Sequence, residues 1–173
     1  MFADGEPHFF RWYWAEHAGK ERLDGIVRWE GERGYAERII DTHKGEMTSV
    51  YYHRGYAACY IHPINFTLPH PNFNDWRYAG QALVNYEPVH HWTHRVEHAH
   101  GGHDDMQFYD LDDSPRTPVR FDFHGRDEHG RMHTAVWEWH EFDGRPVSAD
   151  VFTIPPAIEA VCNRVNATLS SFF

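Results

Sequence analysis

The chain has 173 residues and a formal charge of −10 at pH 7 with histidine neutral, and 41% of it is hydrophobic. That length suits one domain with a real core, the apolar share excludes a disordered chain, and the acidic balance excludes a nucleic-acid backbone as partner. No run of 18 apolar residues occurs, so no segment is expected to span a membrane as a helix.

Seven Trp, nine Tyr and twelve Phe exceed what packing alone demands, and such rings suit strands and the walls of apolar pockets. Sixteen histidines mean that full protonation would move the charge from −10 to +6, around an ordinary imidazole pKa of about 6.5. Arginine outnumbers lysine fourteen to two.

In chain order, the aromatic opening HFFRWYWAEH fits helix or strand equally. From ERLDGIVRWE onward, short alternating segments follow one another, with Leu23, Val27 and Trp29 on one parity and Tyr35 opening the next segment. Turns bearing Gly31, Gly34, Gly45 and Gly55 recur about every ten residues, the spacing of an antiparallel meander. EMTSVYYH, carrying Tyr51, and YAACYIHP, carrying Cys59, are its next strands. Residues 62–78, with three prolines and three asparagines, read as a long connection. Strands then resume at GQALVNYEP, 89–98, DMQFYDL, TPVRFDFHG and MHTAVWEWHEF. The last two form a hairpin in which Phe121 and Phe123 alternate with polar residues and Trp137 and Trp139 share a parity.

The segment VHHWTHRVEHAHGGHDD holds six histidines around Trp92. As a helix it would align His90, His94 and His98. As a strand it would place His90, Trp92, His94, Val96, His98 and His100 on one face, spread at roughly 3.3 Å per residue. Neither form has the spacing of a structural zinc module or the HExxH of a zinc protease. Asp110 to Ser114 opens like a calcium loop but has Pro115 and Phe121 where that loop needs glycine and an acid, so it reads as a solvated acidic turn. GxSxG, P-loop and GxGxxG signatures are all missing, and no cofactor is expected.

The tail turns helical after Pro155-Pro156, with Ile158, Val161, Cys162, Val165 and Leu169 on one stripe. Cys162 then lies on the buried face of that helix, where it can reach Cys59 on a strand, and a Cys59–Cys162 disulfide is expected. With the sequons at Asn65 and Asn166, this favours a secreted or lumenal glycoprotein. The opening MFADGEPHFF lacks the basic and apolar regions of a signal peptide, so secretion requires a leader already removed.

The strand pair ending in Cys59, the Gly80 to Trp92 pair, the Pro118-Val119-Arg120 strand start and Cys162 after a proline pair together resemble the ependymin-related proteins. They also look like lipoprotein-carrier-like modules that precede some cysteine-protease domains. The resemblance runs over about residues 23–162, with fewer cysteines and more histidines than many members. It implies a secreted or lysosomal glycoprotein, often a homodimer, folded as a strongly curved antiparallel half-barrel whose helices close an apolar, lipid-binding cavity.

The expectation is therefore one mostly β domain over residues 1–173, a strongly curved, barrel-like antiparallel sheet with a C-terminal helix over its concave side. It would carry a hydrophobic small molecule or lipid against Trp29, Tyr35, Tyr51, His90, Trp92, His94, Phe121, Phe123, Trp137 and Trp139. Two rivals stay open: a cofactor-independent enzyme using His90, His91 or His94 as proton carrier, and a metal binder using His98, His100 and His103.

Overall fold

The computed structural model describes residues 9–29, 31–66, 73–99, 101–126 and 129–167, and the backbone of 2–3 and 6–7. In chain order the strands are β1 (Phe2–Ala3), β2 (Glu6–Pro7), β3 (Phe10–Ala15), β4 (Lys20–Trp29), β5 (Glu32–Asp41), β6 (Glu46–His53) and β7 (Tyr56–Pro63). There follow β8 (Arg77–Val84), β9 (Glu87–Glu97), β10 (His103–Asp110), β11 (Pro118–Arg126) and β12 (Met132–Glu138). A 3-10 turn (Ala149–Phe152), the helix α1 (Pro156–Glu159) and β13 (Asn163–Arg164) complete the tail.

The mostly β reading, with antiparallel sheets and a short C-terminal helix, holds. The strands form two large sheets instead of one continuous sheet, and neither closes into a barrel. The chain divides into two compact units, Met1–His8 with Pro71–Arg145, and Phe9–His70 with Pro146–Phe173. The run of consecutive antiparallel strands stops at Pro63, where the proline-rich connection begins. Proline has no N–H to give a ladder, so a central strand does not continue through such a stretch.

The second unit holds the sheet β13-β7-β6-β5-β4-β3, antiparallel except where β13 pairs parallel with β7. The ambiguous aromatic opening is strand β3. Tight turns join its meander. Between β6 and β7 only Arg54 and Gly55 intervene, and Gly55 takes the φ of 89° that glycine adopts without steric cost. The centre of this sheet is buried on both faces. Ala36, Ile40 and Met47 fill one side; Ile39, Val50 and Cys59 fill the other. That explains the consecutive Ile39-Ile40, which a strand with one wet face would not carry.

The tail crosses the Ile39 face of this sheet. Arg22 of β4 donates to the Val151 carbonyl at 2.6 Å, and the expected Cys59–Cys162 disulfide is present. The long helical stripe is not. α1 has four residues, and the chain then extends so that the Val165 N–H donates to the Ile61 carbonyl at 2.9 Å. The exposed edge of β7 offers backbone partners to a tail already held there by the disulfide, and β-branched Val161 and Val165 favour the extended form. Leu169 lies outside the described residues.

The first unit holds the antiparallel sheet β12-β11-β10-β9-β8 and the two-residue ladder β1-β2. The β11–β12 hairpin foreseen from the sequence is there. The 89–98 segment takes the strand form, ending at Glu97. Asn85 and Tyr86 form the β8–β9 turn, both with positive φ.

Candidate ring site on the five-stranded sheet

The register of the five-stranded sheet places one aromatic residue of every strand in a single row: Tyr78 opposite Trp92, Trp92 opposite Phe108, Phe108 opposite Phe121, and Phe121 opposite Trp137. Strand side chains alternate between faces, so directly paired residues project to the same side. The row is thus a band of five rings across one face. His94, Met106 and Phe123 form the next row on that face.

Two aromatic residues of the connection join the band. Phe73 lies 5.3 Å from Phe108 and 5.5 Å from Trp76 between ring centroids, and Trp76 lies 5.5 Å from His94. Trp139, just past β12, sits 6.3 Å from Phe108 and 6.5 Å from Trp137. Trp92, Phe108, Phe121, Trp137 and Trp139 are all half-buried, and Tyr78 and Phe73 are exposed.

The band has one polar corner. Asp110, only 3% exposed, accepts from Trp92 Nε1 at 2.9 Å and from Arg116 at 3.3 Å. His90 Nδ1 stands 3.7 Å from the same carboxylate, and the Arg116 guanidinium lies 5.4 Å from the Trp92 ring centroid. A buried carboxylate needs such partners. Asp110 is therefore a fixed anchor for Trp92 and Arg116, not part of a solvated acidic turn. Asp113 does sit in that turn, where its carboxylate accepts from the Thr117 N–H and hydroxyl and its pKa is lowered by those bonds.

Of the residues singled out from the sequence, Trp92, His90, His94, Phe121, Phe123, Trp137 and Trp139 share this face. Tyr78, Phe108, Trp76, Asp110 and Arg116 complete it and were missed. The remaining three lie in the other unit. Trp29 and Tyr51 stack at 5.1 Å on one face of the six-stranded sheet, while Tyr35 projects from the opposite face beside Tyr52.

The histidines disperse. His91 points away from the band, stacked on Tyr109 at 4.7 Å and 3.1 Å from Gln107. His98 pairs with Asp104 at 3.2 Å and His103 with Asp105 at 3.3 Å; His100 lies outside the described residues. Among the described residues no group of three or more His, Cys, Asp or Glu side chains could hold a metal ion. The metal reading from His98, His100 and His103 thus gains no geometric support. Strand alternation and strand rise separate what a helix would have gathered.

A second feature lies in the other unit. The tail partly covers an open pocket of about 260 Å³ on the six-stranded sheet. Ile39, Thr48 and Ile61 line its floor and Phe152 and Ile154 its cover, with charged groups at the rim. This is not the ring-lined hollow expected beneath the tail: Phe152 is its one aromatic wall, and none of the ten residues expected to hold the ligand lines it.

Glu21 carries a third signal that the sequence did not reveal. It is 6% exposed, and burial pushes its carboxyl up to about 7 while a hydrogen bond with Trp12 pulls the other way.

No protein-family model matches the chain, and no curated protein matches it. Among the described residues no helix is long and apolar enough to cross a membrane.

Proposed function

We propose that this protein binds a hydrophobic small molecule of lipid-like character against the ring band of the five-stranded sheet. The supporting observation is the unbroken Tyr78–Trp92–Phe108–Phe121–Trp137 row, whose rings are only partly buried. Sequestering a further ~200 Å² of ring surface would contribute about 5 kcal/mol at 25 cal/mol per Å². The Asp110–Arg116–His90 corner supplies polar atoms at one end, which orients a ligand carrying a single polar group.

The setting we propose is an oxidising one, secreted or lumenal. The disulfide supports it, and so do Asn65 and Asn166, both of which are exposed. The ependymin-like resemblance agrees with this reading in both ligand class and compartment.

The test is a titration with a long-chain fluorescent fatty acid, read by energy transfer from tryptophan. Saturable transfer is expected, weakened tenfold or more by Phe121→Ala and by Trp137→Ala, with Trp29→Ala as control at near-native affinity. Equal affinity in all four proteins, or no saturation, would overturn the proposal.

A further inference from the structure

The cavity under the tail has a different chemistry from the ring band. The chain has only two lysines, and both Lys20 and Lys44 line this one cavity. Arg164 adds a third cation, and Asp41, Glu46 and Glu159 add three carboxylates, so the lining is formally neutral.

The register shows how these charges are arranged. Lys20 of β4 lies opposite Asp41 of β5, which lies opposite Glu46 of β6, forming a polar row at the end of the sheet. The next row on the same face, two residue pairs inward, holds the apolar floor, Ile39 with Thr48 and then Ile61. Within the polar row the charges are largely committed. Lys20 pairs with Asp41 at 3.6 Å, Asp41 also accepts from the Lys44 backbone N–H at 3.0 Å, and Arg164 donates to Glu46. Among the described residues no ion pair occupies the Lys44 ammonium or the Glu159 carboxylate. The first rises from the β5–β6 turn, and the second comes from α1 in the cover.

From this geometry we infer that the cavity is a binding site for a small apolar zwitterion, a free hydrophobic α-amino acid such as leucine or phenylalanine. The Lys44 ammonium takes the ligand's carboxylate, and the Glu159 carboxylate takes its ammonium. The side chain lies between Ile39 and Ile61 below and Phe152 and Ile154 above. A net-neutral lining with one uncommitted charge of each sign matches a ligand that carries both, whereas a simple acid or amine would engage only one of them. The size agrees, since about 150 Å³ suffices for benzene and drug-sized molecules take about 300 Å³ or more. The disulfide holds the cover in place, because Cys162 itself lines the cavity. This site is separate from the ring band, and neither depends on the other.

Calorimetric titration of the full chain tests the inference with three isosteric probes: leucine, 4-methylpentanoate lacking the amine, and 3-methylbutylamine lacking the carboxylate. Leucine is expected to bind saturably and each analogue at least tenfold more weakly. Lys44→Ala should abolish the preference for leucine over the amine, and Glu159→Gln the preference for leucine over the acid. Both substitutions are at exposed positions and should leave the fold intact, which circular dichroism verifies. Failure of both leucine and phenylalanine to bind, equal binding of the three probes, or full affinity in both variants would overturn the assignment.

Discussion

At the scale of single residues, the least comfortable backbone among the described residues belongs to Tyr86. It is fully exposed, with φ of 67° in a two-residue turn whose geometry requires positive φ at both positions. Its side chain contributes no burial to offset that cost, whereas Asn85 before it tolerates the conformation well. Tyr86→Gly is expected to raise stability by about 1 kcal/mol in urea unfolding. A loss of stability would show that the ring makes a contact the fold depends on.

Glu21 gives a prediction in pH. Its carboxyl titrates near 7 in the folded chain against an ordinary 4.5, so the folded state binds the proton more tightly than the unfolded one. The stability this gives is fully present below pH 4.5 and declines as pH rises towards about 7. Glu21→Gln should flatten the stability profile over that window, making the variant the more stable protein at pH 8 by a margin on the order of 1–2 kcal/mol, allowing for solvent screening. Parallel profiles for the two proteins would refute the assignment.

Among the elements, β4 and the tail are joined by Arg22. Its guanidinium meets Asp24 at 2.7 Å, Glu37 at 2.8 Å and the Val151 carbonyl at 2.6 Å. Arg22→Met leaves two nearly buried carboxylates without their cation, and about 3–5 kcal/mol of stability should be lost. Arg22→Met/Glu37→Leu should recover part of it. The disulfide acts on the same tail, spanning a sequence separation of 103. Cys59→Ala/Cys162→Ala should cost about 2–4 kcal/mol and speed hydrogen exchange of the Val165 amide, which bonds the edge of β7. Unchanged exchange there would mean that β13 pairs without its covalent tether.

The element scale also shows what the sequence could reveal. The meander, the β11–β12 hairpin, the shared parity of Phe121 with Phe123 and that of Trp137 with Trp139 were legible because each depends on local alternation and turn chemistry. The place of Tyr78 and Phe108 in the band was not. It depends on the register of strands distant in sequence and on an irregularity between Tyr78 and Gly80 that shifts β8 by one residue. The tail was misread for a similar reason. The stripe from Ile158 to Leu169 has helical period, but the open edge of β7 and the fixed Cys162 outweigh a local preference. The depth of Asp110 and Glu21 was invisible because sequence does not show which carboxylate a distant tryptophan will reach.

For the whole molecule, the surplus of aromatic residues is explained by where the register gathers them. Each unit has its own sheet, and in the first unit the rings form a band and not a solid interior: Val84 and Val89 are the only described hydrophobic residues there that are fully buried. Ring surface left partly uncovered is the physical basis of the proposed binding. The most direct test is photo-crosslinking of the native protein with a long-chain fatty acid bearing a diazirine near its terminal carbon, followed by peptide mapping. Labels are expected to concentrate on Trp76, Phe108, Phe121, Trp137 and Trp139, and to disappear when unlabelled fatty acid competes. Labelling that is scattered over both sheets, or that persists under competition, would contradict the account.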